Sequence, residues 1–179
     1  MNTKKIVYTG ILIAIGVILP IVFHFIPGNP GLVMLPIHYS AYLSAGFFGP
    51  LIGAVVGFLT PILSHLLTGM PINPMFIFIS FETMTYGIVF GYLYYYKRIN
   101  IYASLGISMI LGRLVNFTGT YIVANLLLGH AAKAFQLGNI FYNFTIGLVG
   151  ASLQFVVIPI IIKRINLVFS FDIKDELNV

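Results

Sequence analysis

The sequence has no cysteine and no tryptophan, and Asp, Glu, Lys and Arg together make up only 7% of it. Without cysteine there is no disulfide framework and no thiolate metal site. A soluble domain carries roughly a quarter charged residues, so this scarcity excludes a cytosolic enzyme, and the apolar bulk excludes a disordered chain. The nine Lys and Arg against four Asp and Glu give a formal charge of +5, but they form no basic stripe of the kind that reads nucleic acid. There is no Gly-x-x-x-x-Gly-Lys-Ser/Thr phosphate loop, no Gly-x-Ser-x-Gly and no His-Glu-x-x-His, so neither ATP hydrolysis nor the usual hydrolase chemistry is expected of the chain. What remains is hydrophobic: 59% of 179 residues, with a mean hydropathy of +1.03.

A membrane-crossing helix needs about 20 mostly apolar residues. Ile6 to Phe23 is one such run. The stretch from Gly31 to Thr68 is too long for one crossing and divides at Gly49-Pro50, where a proline can only begin a helix. It reads as a short helix from Leu35 to Phe48 and a second from Pro50 to Leu67. Met75 to Tyr96, Ile101 to Leu128 and Asn139 to Ile162 complete the set. The expected fold is an all-α integral membrane protein of six transmembrane helices, a single domain over residues 1–179 with a polar cytoplasmic tail at 170–179. Threading six crossings puts Lys4, Lys5, Lys97, Arg98, Lys163, Arg164 and Lys174 on one side, with Lys133 in the outer loop after the fifth span. The positive-inside bias makes that side cytoplasmic, with both termini. The first span reads as an uncleaved anchor, since no small-residue cleavage site follows it.

Polar side chains inside spans are the informative ones, because a polar group in hydrocarbon is costly without a partner. Counted at about 1.5 Å per residue, Glu82 lies roughly 10 Å and Arg113 roughly 12 Å below the outer surface. The depths agree, so the two are expected to face each other or share a polar cavity, either as ligand contacts or as a structural ion pair that fixes helix register. Arg113, Asn116, Phe117, Thr120 and Tyr121 follow one helical stripe on the fifth span, and Asn139, Asn143, Gly147, Gly150 and Gln154 follow another on the sixth. Tyr86 stands four residues after Glu82. Three helices thus present polar groups toward one place, which describes a pocket for a small polar molecule with an aromatic wall. His38, at the mouth of the second span, is a further candidate for the pocket lining. His24, His65 and His130 also map to the outer half, but no pair has the spacing of helical ligands and neither Cys nor Asp joins them, so no metal or other cofactor is expected.

The outer connections, Pro27-Gly28-Asn29-Pro30-Gly31 and Thr68-Gly69-Met70-Pro71-Ile72-Asn73-Pro74, read as lids or as ordinary tight turns. Gly49, Gly53 and Gly57 predict close packing of the third span inside the bundle. Gly10 and Ala14 make a similar small face on the first span, for use within the bundle or against a membrane partner.

These features together resemble the substrate-binding S components of energy-coupling factor (ECF) transporters. The resemblance rests on the six spans, the small face on the first, Leu35-Pro36-Ile37-His38, Leu67-Thr68-Gly69-Met70-Pro71, Phe81-Glu82 followed by Thr85-Tyr86-Gly87, and Leu111-Gly112-Arg113. It implies a multi-pass protein of a prokaryotic plasma membrane that captures a vitamin or vitamin precursor from outside. Such a protein docks on a transmembrane coupling subunit energised by two cytoplasmic ATPases. The resemblance also implies a cavity beneath the outer loops, with His38, Glu82, Tyr86, Arg113, Asn116, Tyr121, Asn139 and Asn143 as substrate-binding candidates, and docking through the Gly10/Ala14 face. The family pattern on the first span is alanine-x-x-x-alanine, which Gly10 and Ala14 approximate. Pantothenate, pyridoxine-like and hydroxymethylpyrimidine-like cargoes stay open, because Arg113 suits a carboxylate while an Arg113 neutralised by Glu82 suits an uncharged ring. The competing reading is a stand-alone proton-coupled carrier of a small polar solute, with Glu82 as the proton site.

Overall fold

Proline and glycine set most of the helix boundaries. The computed structural model describes residues 3–24, 30–127 and 133–169, and the regular structure among these is helical throughout. In chain order the helices are α1 (Thr3–His24), α2 (Pro30–Met34), α3 (Ile37–Phe48), α4 (Pro50–Thr68), α5 (Met75–Phe90) with a π-helical continuation (Gly91–Tyr96), α6 (Ile101–Leu127) and α7 (Lys133–Phe169). Gly49, at φ +86°, ends α3 and lets Pro50 start α4 at once, as the sequence implies. Gly69, at φ +75°, closes α4 in the left-handed conformation with its N–H on the His65 carbonyl. Asn100 caps α6, its Oδ1 accepting the Tyr102 N–H at 2.9 Å.

Among the described residues five stretches are long and apolar enough to cross a membrane: Lys5–Phe23, Pro50–Thr68, Met75–Tyr96, Ile101–Ile122 and Gly147–Asn166. The chain is a multi-pass membrane protein. The second of the six expected spans corresponds to α3, whose 12 residues reach only about 18 Å at 1.5 Å per residue, against a hydrocarbon core of about 30 Å. Two further boundaries differ from expectation. The last helix begins at Lys133 and continues to Phe169, so Lys133 stands at a helix start and not in a loop. The fourth span changes to π-helix at Gly91, where an added Cβ would lie 2.6 Å from the Pro50 backbone. The tail at 170–179 and the stretch 25–29 lie outside the described residues.

Packing is closest between α4 and α5, and glycine is the reason. A Cβ on Gly87 would sit 2.2 Å from the carbonyl of Gly53, and one on Gly57 would sit 2.4 Å from the Thr83 carbonyl oxygen. At this separation the Thr83 hydroxyl donates across the interface to the Gly57 carbonyl at 2.6 Å. The small-residue ladder expected on the third span is therefore an internal contact. Beside it runs a column of rings through the core. Tyr86 stacks on Tyr42 at 5.0 Å, Tyr42 meets Phe90 edge-on at 5.4 Å, and Phe90 stacks on Tyr94 at 5.3 Å. Leu105, Ile158 and Ile162, all fully buried, close the column from α6 and α7.

On α1, Thr9, Gly16, Val17 and Pro20 are buried, and a Cβ on Gly16 would collide with Ser40 and Thr60. Gly10 and Ala14 lie on the opposite, exposed side, and a Cβ on Gly10 would meet nothing within 4 Å. Among the described residues nothing packs within 4 Å of a Cβ placed at Gly10.

Candidate functional site

The charge of Glu82 lies in the middle of the bundle, and its side chain is 1% exposed. An ionised carboxylate at such a place requires partners for both oxygens. On α5 itself, Tyr86 comes round one turn later and donates its hydroxyl to Oε1. From α6, Arg113 brings Nη1 to 3.2 Å of the same oxygen, and Asn116, three residues on, donates Nδ2 to Oε2 at 2.7 Å. The Thr120 hydroxyl in turn donates to the Asn116 Oδ1 at 3.4 Å, which orients the amide. From α3, His38 places Nε2 3.8 Å from Oε2, while its Nδ1 donates to the Leu35 carbonyl at 3.1 Å. Leu35 has φ +49°, and this left-handed residue between α2 and α3 turns the His38 ring inward.

Glycines make room for the cluster. A Cβ on Gly112 would lie 2.2 Å from the Tyr86 ring, and one on Gly147 would lie 2.6 Å from Arg113 Nη2. The guanidinium thus lies against bare backbone of α7, with one fork toward Glu82.

Two cavities flank the cluster. The larger, about 500 Å³, lies between α5, α6 and α7, and Tyr86, Arg113, Phe117, Gly147 and Gln154 are among its lining residues. The other described residues of that wall are aliphatic or methionine. The smaller, about 280 Å³, lies under the connection from α4 to α5 and is lined in part by His38, Ser64, Met70 and Pro71. His38 belongs to the smaller cavity and contacts Glu82 and the Tyr86 ring, 5.5 Å away between centroids. Arg113 and Tyr86 belong to the larger. The carboxylate cluster is therefore the partition between the two spaces. Volumes of this order hold a single small heterocycle.

The roof of the smaller cavity is tied down. The Ser64 hydroxyl donates to the Met70 carbonyl at 2.8 Å, His65 Nδ1 donates to the Pro71 carbonyl at 2.7 Å, and the His65 ring stacks on Phe76 at 4.1 Å. Of the two readings of this connection, the geometry favours a fixed turn over a swinging lid.

Glu82 and Arg113 pair, as their depths require, and His38, Tyr86 and Asn116 join them. Tyr121 does not. It is 52% exposed and stacks on Phe117, outside the cavity wall. Its place on the α6 stripe is real, but the stripe is wider than the cavity. Asn139 and Asn143 fall on α7, and their side chains, like those of His24 and His130, lie outside the described residues. Gln154, from the same stripe, is 2% exposed and lines the larger cavity with its Nε2 free of any hydrogen-bond partner. Tyr42 and Met109 were not expected at the site. Tyr42 belongs to the ring column beneath Tyr86, and Met109 lines the cavity. Neither carries a sequence signal beyond an apolar position on an inward face. Among the described residues no group of three His, Cys, Asp or Glu comes together to hold a metal.

A sequence model of the family described as "ECF transporter, substrate-specific component" matches residues 4–166. No curated protein and no solved structure matches the chain.

Proposed function

Because the chain belongs to the substrate-specific components of ECF transporters, which are binding subunits of transporters, we propose that it captures a B-group vitamin or precursor in the cavity beside Glu82 and Arg113. The cargo is pantothenate-, pyridoxine- or hydroxymethylpyrimidine-like. The observation that carries this reading is the coincidence of a built polar cluster with a cavity of about 500 Å³ between α5, α6 and α7. A purely structural ion pair needs no such space beside it.

In this reading six segments cross a prokaryotic plasma membrane, with α2 and α3 together serving as the second, and both termini are cytoplasmic. The placement of Lys97, Arg98 and Lys163 at one end supports that orientation, since Lys163 lies over the Tyr102 ring at 5.8 Å and Lys97 over Tyr92 at 5.6 Å. The exposed Gly10/Ala14 face of α1 meets a transmembrane coupling subunit, and two cytoplasmic ATPases supply the energy. His38, Glu82, Tyr86, Arg113 and Asn116 form the polar end of the site.

The test is uptake of labelled vitamins by cells expressing the chain with and without an ECF energising module. Uptake that needs the ATPases and survives a protonophore supports the proposal. Uptake by the chain alone that a protonophore abolishes supports the proton-coupled carrier and makes Glu82 its proton site.

A further inference from the structure

We propose that the cargo is an uncharged molecule rich in hydrogen-bond acceptors, which selects the ring-type cargoes over a carboxylate such as pantothenate. The inference rests on the substrate-binding reading above and concerns the charge and polarity of the same cavity. Among the described residues that line it, Arg113 alone carries a charge. That charge is already matched, because Glu82 Oε1 lies 3.2 Å from Nη1. Glu82 cannot withdraw to let another anion take its place. It is 1% exposed and held from three helices, by Tyr86, by Asn116 at 2.7 Å and by the neighbouring His38. An anionic cargo at the guanidinium puts two negative charges on one positive charge in a low-dielectric space, where like charges repel far more strongly than in water. A cationic cargo meets the guanidinium itself. An uncharged cargo disturbs neither.

Among the described lining residues, the polar atoms left over include donors. Gln154 Nε2 is buried on the cavity wall without a hydrogen-bond partner. A buried amide N–H left unpaired is costly, so an acceptor on the cargo opposite Gln154 is the natural partner. The guanidinium has five N–H groups, and the contact to Glu82 is made through Nη1, which leaves donors on the cavity side. The Tyr86 hydroxyl is committed to Glu82 and offers the cargo only its ring. Phe117 adds a second ring, and the remaining described wall is apolar. The complement of this surface is a compact body with acceptor atoms on one side and no net charge.

Pairs of probes matched in skeleton and differing in charge test this by calorimetry on the purified full-length protein in detergent: pyridoxine against pyridoxine phosphate, hydroxymethylpyrimidine against its phosphate, and pantothenyl alcohol against pantothenate. The expected result is that the uncharged member of any pair that binds does so at least about ten-fold more tightly. Gln154→Met should weaken that binding by about ten-fold, and Glu82→Gln should shift the preference toward the anion by a similar factor. A charged member that binds as tightly as its neutral counterpart, or more so, overturns the inference and leaves the substrate-binding reading standing. Binding of no probe to a protein that melts cooperatively overturns both.

Discussion

Removing Glu82 is the perturbation whose consequences the geometry states most fully. In Glu82→Met the guanidinium of Arg113 loses its counter-charge, and the donors of Tyr86 and Asn116 lose their acceptor. Stranding one partner of a fully buried pair costs about 3 to 5 kcal/mol. Arg113 is 25% exposed, so the charge contribution falls below that range, at about 2 kcal/mol. Two unpaired donors add about 2 kcal/mol more, for a loss near 4 kcal/mol. Arg113→Met leaves Glu82 with Tyr86 and Asn116 and costs about 2 kcal/mol. In the double variant neither charge is stranded, and only the orphaned donors remain, so the loss is about 2 kcal/mol in place of the additive value near 6. The coupling of about 4 kcal/mol is the quantity to measure, by reversible unfolding of the full chain and its three variants in mixed detergent micelles. Additivity to within about 0.5 kcal/mol would refute the claim that Glu82 and Arg113 depend on each other.

Three further outcomes follow from the packing. Gly87→Leu drives a side chain into the Gly53 backbone, where even a Cβ would lie at 2.2 Å, and should cost about 3 kcal/mol or more, seen as a lower midpoint in the same unfolding assay. Gly147→Ala pushes only on the far end of Arg113, at 2.6 Å from Nη2; its stability should stay within about 1 kcal/mol while calorimetric ligand affinity drops about ten-fold, or about 1.4 kcal/mol. Gly10→Leu with Ala14→Leu adds bulk on an exposed face of α1. Ligand binding should be unchanged and energised uptake lost, and normal uptake would show that this face of α1 is not the docking surface.

The Glu82–Arg113 pair was legible in the sequence because depth in a membrane helix is nearly linear in residue number, and an unpaired charge there is too costly to leave alone. The α4–α5 contact was legible for a similar reason, since repeated small residues let helix backbones approach. His38 could be placed at the mouth of a span but not against Glu82, because its inward turn depends on the left-handed Leu35, a bulky residue that sequence gives no reason to put at φ +49°. Tyr121 shares the α6 stripe but is 52% exposed and not among the described residues lining either cavity, because helical periodicity assigns a face and not its width. The reach of α7 beyond the expected span was equally hidden, since nothing between Lys133 and Asn139 marks a loop or a helix by composition alone. Gln154 lay on the expected stripe, yet only the structure shows that its amide is buried without a partner.

The central claim is that this chain by itself holds a small vitamin-like molecule in the cavity beside Arg113. Thermal unfolding of the purified protein across a panel of B-group vitamins and precursors tests it directly. A cargo present at about 100 times its dissociation constant should add about 2.7 kcal/mol of stability, and that gain should shrink in Gln154→Met and Arg113→Met. A melt that no compound raises, or a rise that both variants retain in full, would contradict it.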